Sequence, residues 1–405
     1  MGIKKDLSRI RSKVSSPPSN LTVVQPSPGQ LFLSFLKLGL TAFGGPAMVA
    51  YMRRMAVEKK RWLDEESFKK GVALCQTVPG ATAMQMSAYI GLTSRGIVGA
   101  ALSFIGFGLP AFLLMLALSI FYSHAYSLSA VTSAFSGLRA VIIAIVAYST
   151  LLFGRTNLKD WRDVTIASLA FLLFWLAINP IITILVSAIL GLLLYFREKF
   201  PQVSKAEPKK KSNLRPVLYI SIIAGLGLGL LFIFGGRLFE LALLMFRIDL
   251  FAFGGGFTSL PLMLHEVVSV RSWLDAATFM DGIALGQITP GPIVITSTFI
   301  GYMIEGLPGA VVATVFIFLP SFLLVVAIEP YFHRLSLSPY FQRIIRGILC
   351  SFIGLLLSVV VRFSLELTWD IPKALLAVSA LVALLLKVDI LWVILAGVVI
   401  SVVIF

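Results

Sequence analysis

A stretch of roughly seventy residues occurs twice in this chain, and a fixed long period of this kind marks an internal repeat. In the first copy Ala42 to Pro46 reads AFGGP, followed by Trp62-Leu63-Asp64, Gln76-Thr77-Val78-Pro79-Gly80, Ile90-Gly91, Gly96, Gly99 and Pro110. In the second, Ala252-Phe253-Gly254-Gly255 is followed by Trp273-Leu274-Asp275, Gln287-Ile288-Thr289-Pro290-Gly291, Ile300-Gly301, Gly306, Gly309 and Pro320. The offset is 210 from Phe43 to Phe253, 211 from Trp62 to Trp273 and from Pro79 to Pro290, and 210 again from Gly91 to Gly301 and from Pro110 to Pro320. Two one-residue slips cancel, as they would in loops. The repeat is half the protein, so its activity is expected between the two copies.

With 58% hydrophobic and 13% charged residues and a mean hydropathy of +0.95, the chain lies outside soluble globular usage. Apolar runs near 31–50, 96–121, 131–153, 163–178, 180–196, 215–235, 305–328, 343–363, 372–387 and 388–405 approach the length of about 20 residues that crosses a bilayer core. Some ten to twelve membrane segments are expected on this measure. The net charge of +15 does not call for nucleic acid, because Lys and Arg sit in loops beside apolar runs, where they set orientation. Cys75 and Cys350 form no CxxC and no disulfide framework, and no metal or cofactor motif is present.

Charge also orients the copies. Arg53 to Lys70 holds seven Lys or Arg, whereas the matching His265 to Gly282 holds only Arg271. Tyr122 to Arg139 is nearly neutral, but its counterpart Tyr331 to Arg346 carries Arg334, Arg343 and Arg346. Corresponding loops therefore face opposite sides of the membrane, and the halves form an inverted repeat. The basic 198–214 linker reads as a disordered cytoplasmic connector, and the apolar run from Val217 to Phe234 has no counterpart in the first copy, so it supplies the odd crossing. The N-terminal 1–30 and Arg53–Lys70 both look cytoplasmic although one apolar run lies between them. A run that turns back at Gly44-Gly45-Pro46 resolves this, and Gly71 to Thr93, broken at Pro79-Gly80, obeys the same logic.

Broken helices at matching positions of inverted halves point to a transporter's central site, with the positive ends of half-helices aimed at an anion. The plainer reading is a Pro kink that shapes packing only. Candidate substrate-binding residues are Gly44, Gly45, Gly80, Gly254, Gly255 and Gly291 at the breaks. Gln76, Thr77, Gln287 and Thr289 beside them can donate hydrogen bonds without adding charge, or else clamp helices together. Lys37 and Arg247 stand six residues before each Phe-Gly-Gly inside apolar sequence; they read as anion-attracting cations or as snorkelling residues. Arg139 and Arg346 near helix entrances suit topology-setting charge, Trp62 and Trp273 suit interfacial anchors, and Gly96, Gly99, Gly306 and Gly309 suit close helix packing. Asp249, Glu240, Glu266, Glu305 and Glu329 are candidate proton carriers. His124, His265 and His333 form no catalytic motif, and no nucleotide motif is present, so an enzyme is not expected.

FLKLGLTAFGGP (35–46), WLDEESF (62–68) and QTVPGA (76–81) resemble the chromate ion transporter family, and FAFGGGFTSLPLM (251–263), WLDAATF (273–279) and QITPGP (287–292) resemble its second domain. The resemblance runs from about residue 31 to the end, in the two-domain form. The first copy departs from it with Ala81 where the second has Pro292 of PGP, which sets the two half-sites apart. The resemblance implies an inner-membrane secondary carrier that exports chromate, a tetrahedral dianion like sulfate, driven by proton gradient or membrane potential. The expected architecture is an all-α polytopic membrane protein. It comprises a basic tail (1–30), a first repeat (31–197), a linker with a topology-inverting helix (198–238) and a second repeat (239–405), each repeat with about five to six membrane segments, some re-entrant. Partners would be a small inorganic oxyanion and lipid, with room for a homodimer. A carrier or channel for another anion such as sulfate, and a non-transport scaffold, are the alternatives.

Overall fold

The computed structural model describes residues 24–43, 45–198 and 215–405; most of the predicted tail, the basic linker and Gly44 lie outside them. Its first helix starts where the sequence places a cap. Ser27 and Gln30 form a capping box and Pro28 takes the first helical position, which satisfies free N–H groups that would otherwise be orphaned. Helix α1 (Pro28–Thr41) ends at Ala42, and α2 (Gly45–Arg53) continues through a π-helical turn to Lys59. The Val24 N–H donates to the Arg61 carbonyl at 2.9 Å. Both ends of this pair therefore lie on one face, and the α1–α2 unit enters and turns back after Ala42, as the sequence requires.

A second hairpin follows. Asp64 caps α3 (Glu65–Thr77) through the Ser67 N–H, and Pro79-Gly80 interrupts the chain before α4 (Thr82–Ala125). The Tyr89 hydroxyl donates to the Ser67 carbonyl at 3.0 Å, so the first arm of α4 returns alongside α3. That arm then reverses at Arg95 and Gly96, where Gly96 has a φ of 65°. The Ser103 hydroxyl consequently donates to the Ser87 carbonyl at 2.7 Å, whereas on a straight helix the two would stand roughly 24 Å apart. A Cβ on Gly91 or Gly99 would collide with the other's carbonyl, so this pair packs as expected. Gly96 and Gly306 do not: nothing lies near them, and their glycine supplies the positive φ of a turn. The arm 97–125 then runs the full depth of the protein.

The same order recurs after α5 (Ser129–Asn157), α6 (Trp161–Trp175), α7 (Pro180–Leu194) and the unmatched α8 (Arg215–Phe234). The second copy comprises α9 (Gly236–Phe251), α10 (Ser259–Met263) with its π-helical turn Leu264–Val270, α11 (Ala276–Ile288), α12 (Thr296–Ile328), a short α13 (Phe332–Leu337), α14 (Pro339–Glu366), α15 (Ile371–Leu385) and α16 (Ile390–Ile404). Helix α12 breaks at Glu305 and Gly306, the counterpart of the Arg95-Gly96 turn, and the Thr298 and Thr314 hydroxyls bond across it at 2.7 Å.

The copies are inverted. Tyr122 lies roughly 40 Å along α4 from the Gly96 turn. Its hydroxyl nevertheless donates to Asp281 near the start of α11 at 2.9 Å, and its ring meets Phe299 at 5.1 Å. The outer end of the second α11–α12 hairpin is therefore level with the far end of α4, opposite the outer end of the first. Among the described residues, four helical runs are long and apolar enough to cross a membrane: Thr82–Ala125, Ser129–Asn157, Ile293–Leu337 and Pro339–Glu366. The protein is thus an all-α polytopic membrane protein of two repeats. The run predicted at 31–50 is two half-helices rather than one span.

The repeats also exchange helices. Helix α5 of the first packs on α15 and α16 of the second, while α14 of the second packs on α6 and α7 of the first. Glycine allows close approaches between them, such as Gly137 against Ser401 and Gly347 against Gly191.

Candidate functional site

Four helix breaks meet inside the protein. The Gly80 N–H donates to the Ala252 carbonyl at 2.8 Å, and the Gly291 N–H donates to the Ala42 carbonyl at 3.1 Å. Each Pro-Gly break of one repeat is thereby tied to the Ala-Phe-Gly-Gly break of the other. Gly80 and Gly291 have φ of 123° and 117°, and a Cβ at Gly80 would strike Ser321, so only glycine fits there. Gly254 and Gly255, with φ of 91° and 106°, complete one break. The first lies against Phe153 and Leu349, the second near Thr82. Gly45 opens α2. Helices α2 and α4, and the turn Ile293–Ile295 that leads into α12, all present amino ends at these breaks. Amino ends carry unpaired N–H groups and partial positive charge, which favours an anion.

The two breaks differ in what surrounds them. Asp249 of α9 is fully buried, and its Oδ2 accepts the Ser321 N–H at 2.9 Å and the Ser321 hydroxyl at 2.7 Å. The Ser321 oxygen in turn accepts the Ala81 N–H, at the amino end of α4, at 2.9 Å. Asp249 Oδ1 has no partner among the described residues. At the 210-residue offset the first repeat has Gly39 and Ala111. Gly39 packs directly on the Phe107 carbonyl, and Gly291 approaches Ala111. Gln85, also buried, donates to the Pro79 carbonyl at 2.5 Å; its Oε1, and the buried Gln287 Nε2 and Ser297 Oγ, have no hydrogen-bond partner among the described residues.

The other predicted residues are more scattered. Lys37 is exposed on the α1 face shared with Leu33 and Leu40, opposite the buried Leu31, Phe35 and Gly39. Arg247 pairs with Glu266, which also binds Arg271. The two cations therefore have unlike surroundings despite matching positions. Gln76 is exposed and Gln287 half-buried. The Thr77 and Thr289 hydroxyls donate to carbonyls of their own helices, at 2.6 Å to Ala73 and 2.8 Å to Gly286. Trp62 is buried rather than interfacial, and Trp273 lies half-buried under Arg271.

Two buried ion pairs were not evident from sequence. Arg139 of α5 holds Asp281 of α11 at 2.7 and 2.8 Å, with the Tyr122 hydroxyl on the same carboxylate. Arg346 of α14 holds Asp163 of α6 through two bonds of 2.9 Å, with the Tyr195 hydroxyl on it as well. Both pairs bridge the repeats. Solitary acids in apolar sequence, as in FMDGIAL at 279–285, were the available signal. A cavity of about 190 Å³ lies away from the breaks, beside Ser269, Ala276, Arg362 and Glu366.

Comparison with known proteins fixes the family. The chromate transporter family model matches residues 29–192 and again 239–402. The chain belongs to the chromate transporter family. Within it, an uncharacterized transporter of Methanocaldococcus jannaschii is 44% identical over 93% of this chain and 94% of its own length. A chromate transport protein of Cupriavidus metallidurans is 33% identical over 88% of each. A probable chromate transport protein of Synechococcus elongatus is 32% identical over 87% of this chain and 89% of its own. No solved structure matches. The two matched ranges coincide with the two structural repeats and leave α8 outside both, so family membership and geometry divide the chain at the same places.

Proposed function

We propose that this family member is a secondary carrier that exports chromate, or a closely related oxyanion, across the inner membrane by alternating access between inverted repeats. The observation that carries this reading is the reciprocal pair of bonds, Gly80 to Ala252 and Gly291 to Ala42. They gather helix amino ends from both membrane faces at one point, where an anion would be held without a fixed counter-charge. The names of the bacterial and cyanobacterial relatives supply the substrate. Lys37, Gly44, Gly45, Gln76, Thr77, Gly80, Arg247, Gly254, Gly255, Gln287, Thr289 and Gly291 are the proposed substrate-binding set, with Lys37 and Arg247 attracting the anion toward the centre. The face bearing Arg61 and Arg95 is assigned to the cytoplasm, together with the N-terminal tail and the 198–214 linker, because Lys and Arg concentrate there. The driving force is a proton gradient or the membrane potential, and no covalent chemistry on the substrate is involved.

The test is uptake of labelled chromate into liposomes holding the purified protein, under an imposed pH gradient and then an imposed potential, with and without sulfate. Saturable, gradient-dependent movement is expected. Movement of sulfate but not chromate would overturn the substrate, and leakage without saturation would overturn the carrier. Lys37→Met and Arg247→Met are each expected to lower chromate uptake several-fold in correctly inserted protein. Unchanged uptake would remove the cation role.

A further inference from the structure

Asp249 stands where the proposed site would need its ligand. Its carboxylate takes the Ser321 N–H and hydroxyl at 2.9 and 2.7 Å, and Ser321 is itself bonded by the Ala81 N–H at the amino end of α4. Backbone and hydroxyl donors beside a helix amino end are what an oxyanion would use. The second repeat thus sets a tethered anion against the α4 amino end of the first, while the first, with Gly39 and Ala111 at the equivalent positions, has no carboxylate to set against the second.

Among the described residues, no cation bonds to this carboxylate. From α12 it meets Ser321, which the Ala81 N–H of the α3–α4 break reaches in turn, and the nearby Gln85 is neutral. On its own helix, Arg247 is paired with Glu266 and Arg237 with Glu305. An isolated ionised carboxylate is costly to bury, and Oδ1 has no hydrogen-bond partner among the described residues. A proton completes such a group with one bond. A sodium ion would need a shell of several oxygens, and no acidic cluster of that kind occurs among the described residues.

We propose that Asp249 is an internal stand-in for the transported oxyanion, and that taking up a proton releases Ser321 and the α4 amino end to the substrate, so that oxyanion binding and proton uptake are linked. This rests on the oxyanion reading above and names its coupling residue; proton and oxyanion then move together, so export draws on the membrane potential rather than on an inward proton gradient. The proton comes from water and forms an O–H bond on the carboxyl; no other bond is made or broken. Linkage is reciprocal, so protonation must strengthen oxyanion binding by the factor by which the oxyanion strengthens protonation.

The experiment is calorimetric titration of the purified full chain with chromate, in pairs of buffers that differ in ionisation enthalpy and are alkaline enough to keep chromate a dianion. The wild type is expected to take up protons on binding, with affinity rising up to about tenfold per unit fall in pH, the limit for one linked proton. Asp249→Asn keeps the acceptor for Ser321, and is expected to bind chromate with no proton uptake and no pH dependence. Ser321→Ala guards against loss of fold in the first variant; it should retain proton uptake and move the pH at which it occurs. Chromate binding to the wild type without proton uptake, uptake that persists in Asp249→Asn, a pH profile unmoved in Ser321→Ala, or binding that follows sodium instead would each overturn the proposal while leaving the oxyanion reading standing. Absence of chromate binding to the wild type would overturn both.

Discussion

The first repeat closes its centre with Gly39 and Ala111; the second closes it with Asp249 and Ser321. The backbones around them correspond closely, down to the turns at Gly96 and Gly306 and the Pro-Gly breaks at Gly80 and Gly291. Duplication has preserved a frame while the polar interior has diverged. Charge reversal at other matched positions says the same: Lys70 stands where the second copy has the buried Asp281, and Lys373 where the first has the buried Asp163.

The largest expected effect comes from the bridging ion pairs. Arg139→Met leaves Asp281 buried beside only Tyr122, and about 3–5 kcal/mol of stability should be lost, measurable as a lowered unfolding temperature in detergent. Arg346→Met should cost less, because Asp163 also accepts the Lys159 and Asp160 N–H groups, each at 2.8 Å. Equal losses would erase this distinction between the halves. Next come the breaks themselves. Gly80→Ala and Gly291→Ala both force a side chain into a positive-φ backbone, at roughly 1–3 kcal/mol. Gly80 should suffer more, since its Cβ meets the Ser321 hydroxyl while that of Gly291 meets only the Ala111 methyl at 2.8 Å. Chromate uptake by the two variants at equal membrane abundance is the measurement.

The smallest effect concerns the helix caps, where the halves agree. Asp64 and Asp275 each hold an N–H three residues on, and Asp→Ala at either should cost about 1 kcal/mol. Ser67 holds the Asp64 carboxyl below its ordinary value. Its contribution is therefore present above the unfolded value near ~4 and fades as pH falls through the lower folded one, so wild type and Asp64→Ala should converge in thermal stability in strong acid. Convergence at neutral pH instead would deny Asp64 the cap.

The duplication, the inversion and the re-entrant breaks were legible because Gly and Pro act locally on the backbone and Lys and Arg mark a membrane face directly. Gly96 and Gly306 were misread as packing glycines, since a glycine that turns a chain and one that admits a neighbour look alike in sequence. Arg139 and Arg346 were read as loop charge because their acids lie 142 and 183 residues away, a pairing that only the fold creates. Lys37 and Arg247 match in position, yet Arg247 meets Glu266 from a neighbouring helix while Lys37 lies exposed on its own. Equivalence along the chain therefore did not carry equivalence of environment.

The exchange of α5 and α14 has a consequence for how the protein is made. While the second repeat is still being synthesised, the face of α6 and α7 that receives α14 is bare, and α5 lacks its later partners α11, α14, α15 and α16. The first repeat must wait in the bilayer half-assembled until helices of the second close both halves at once.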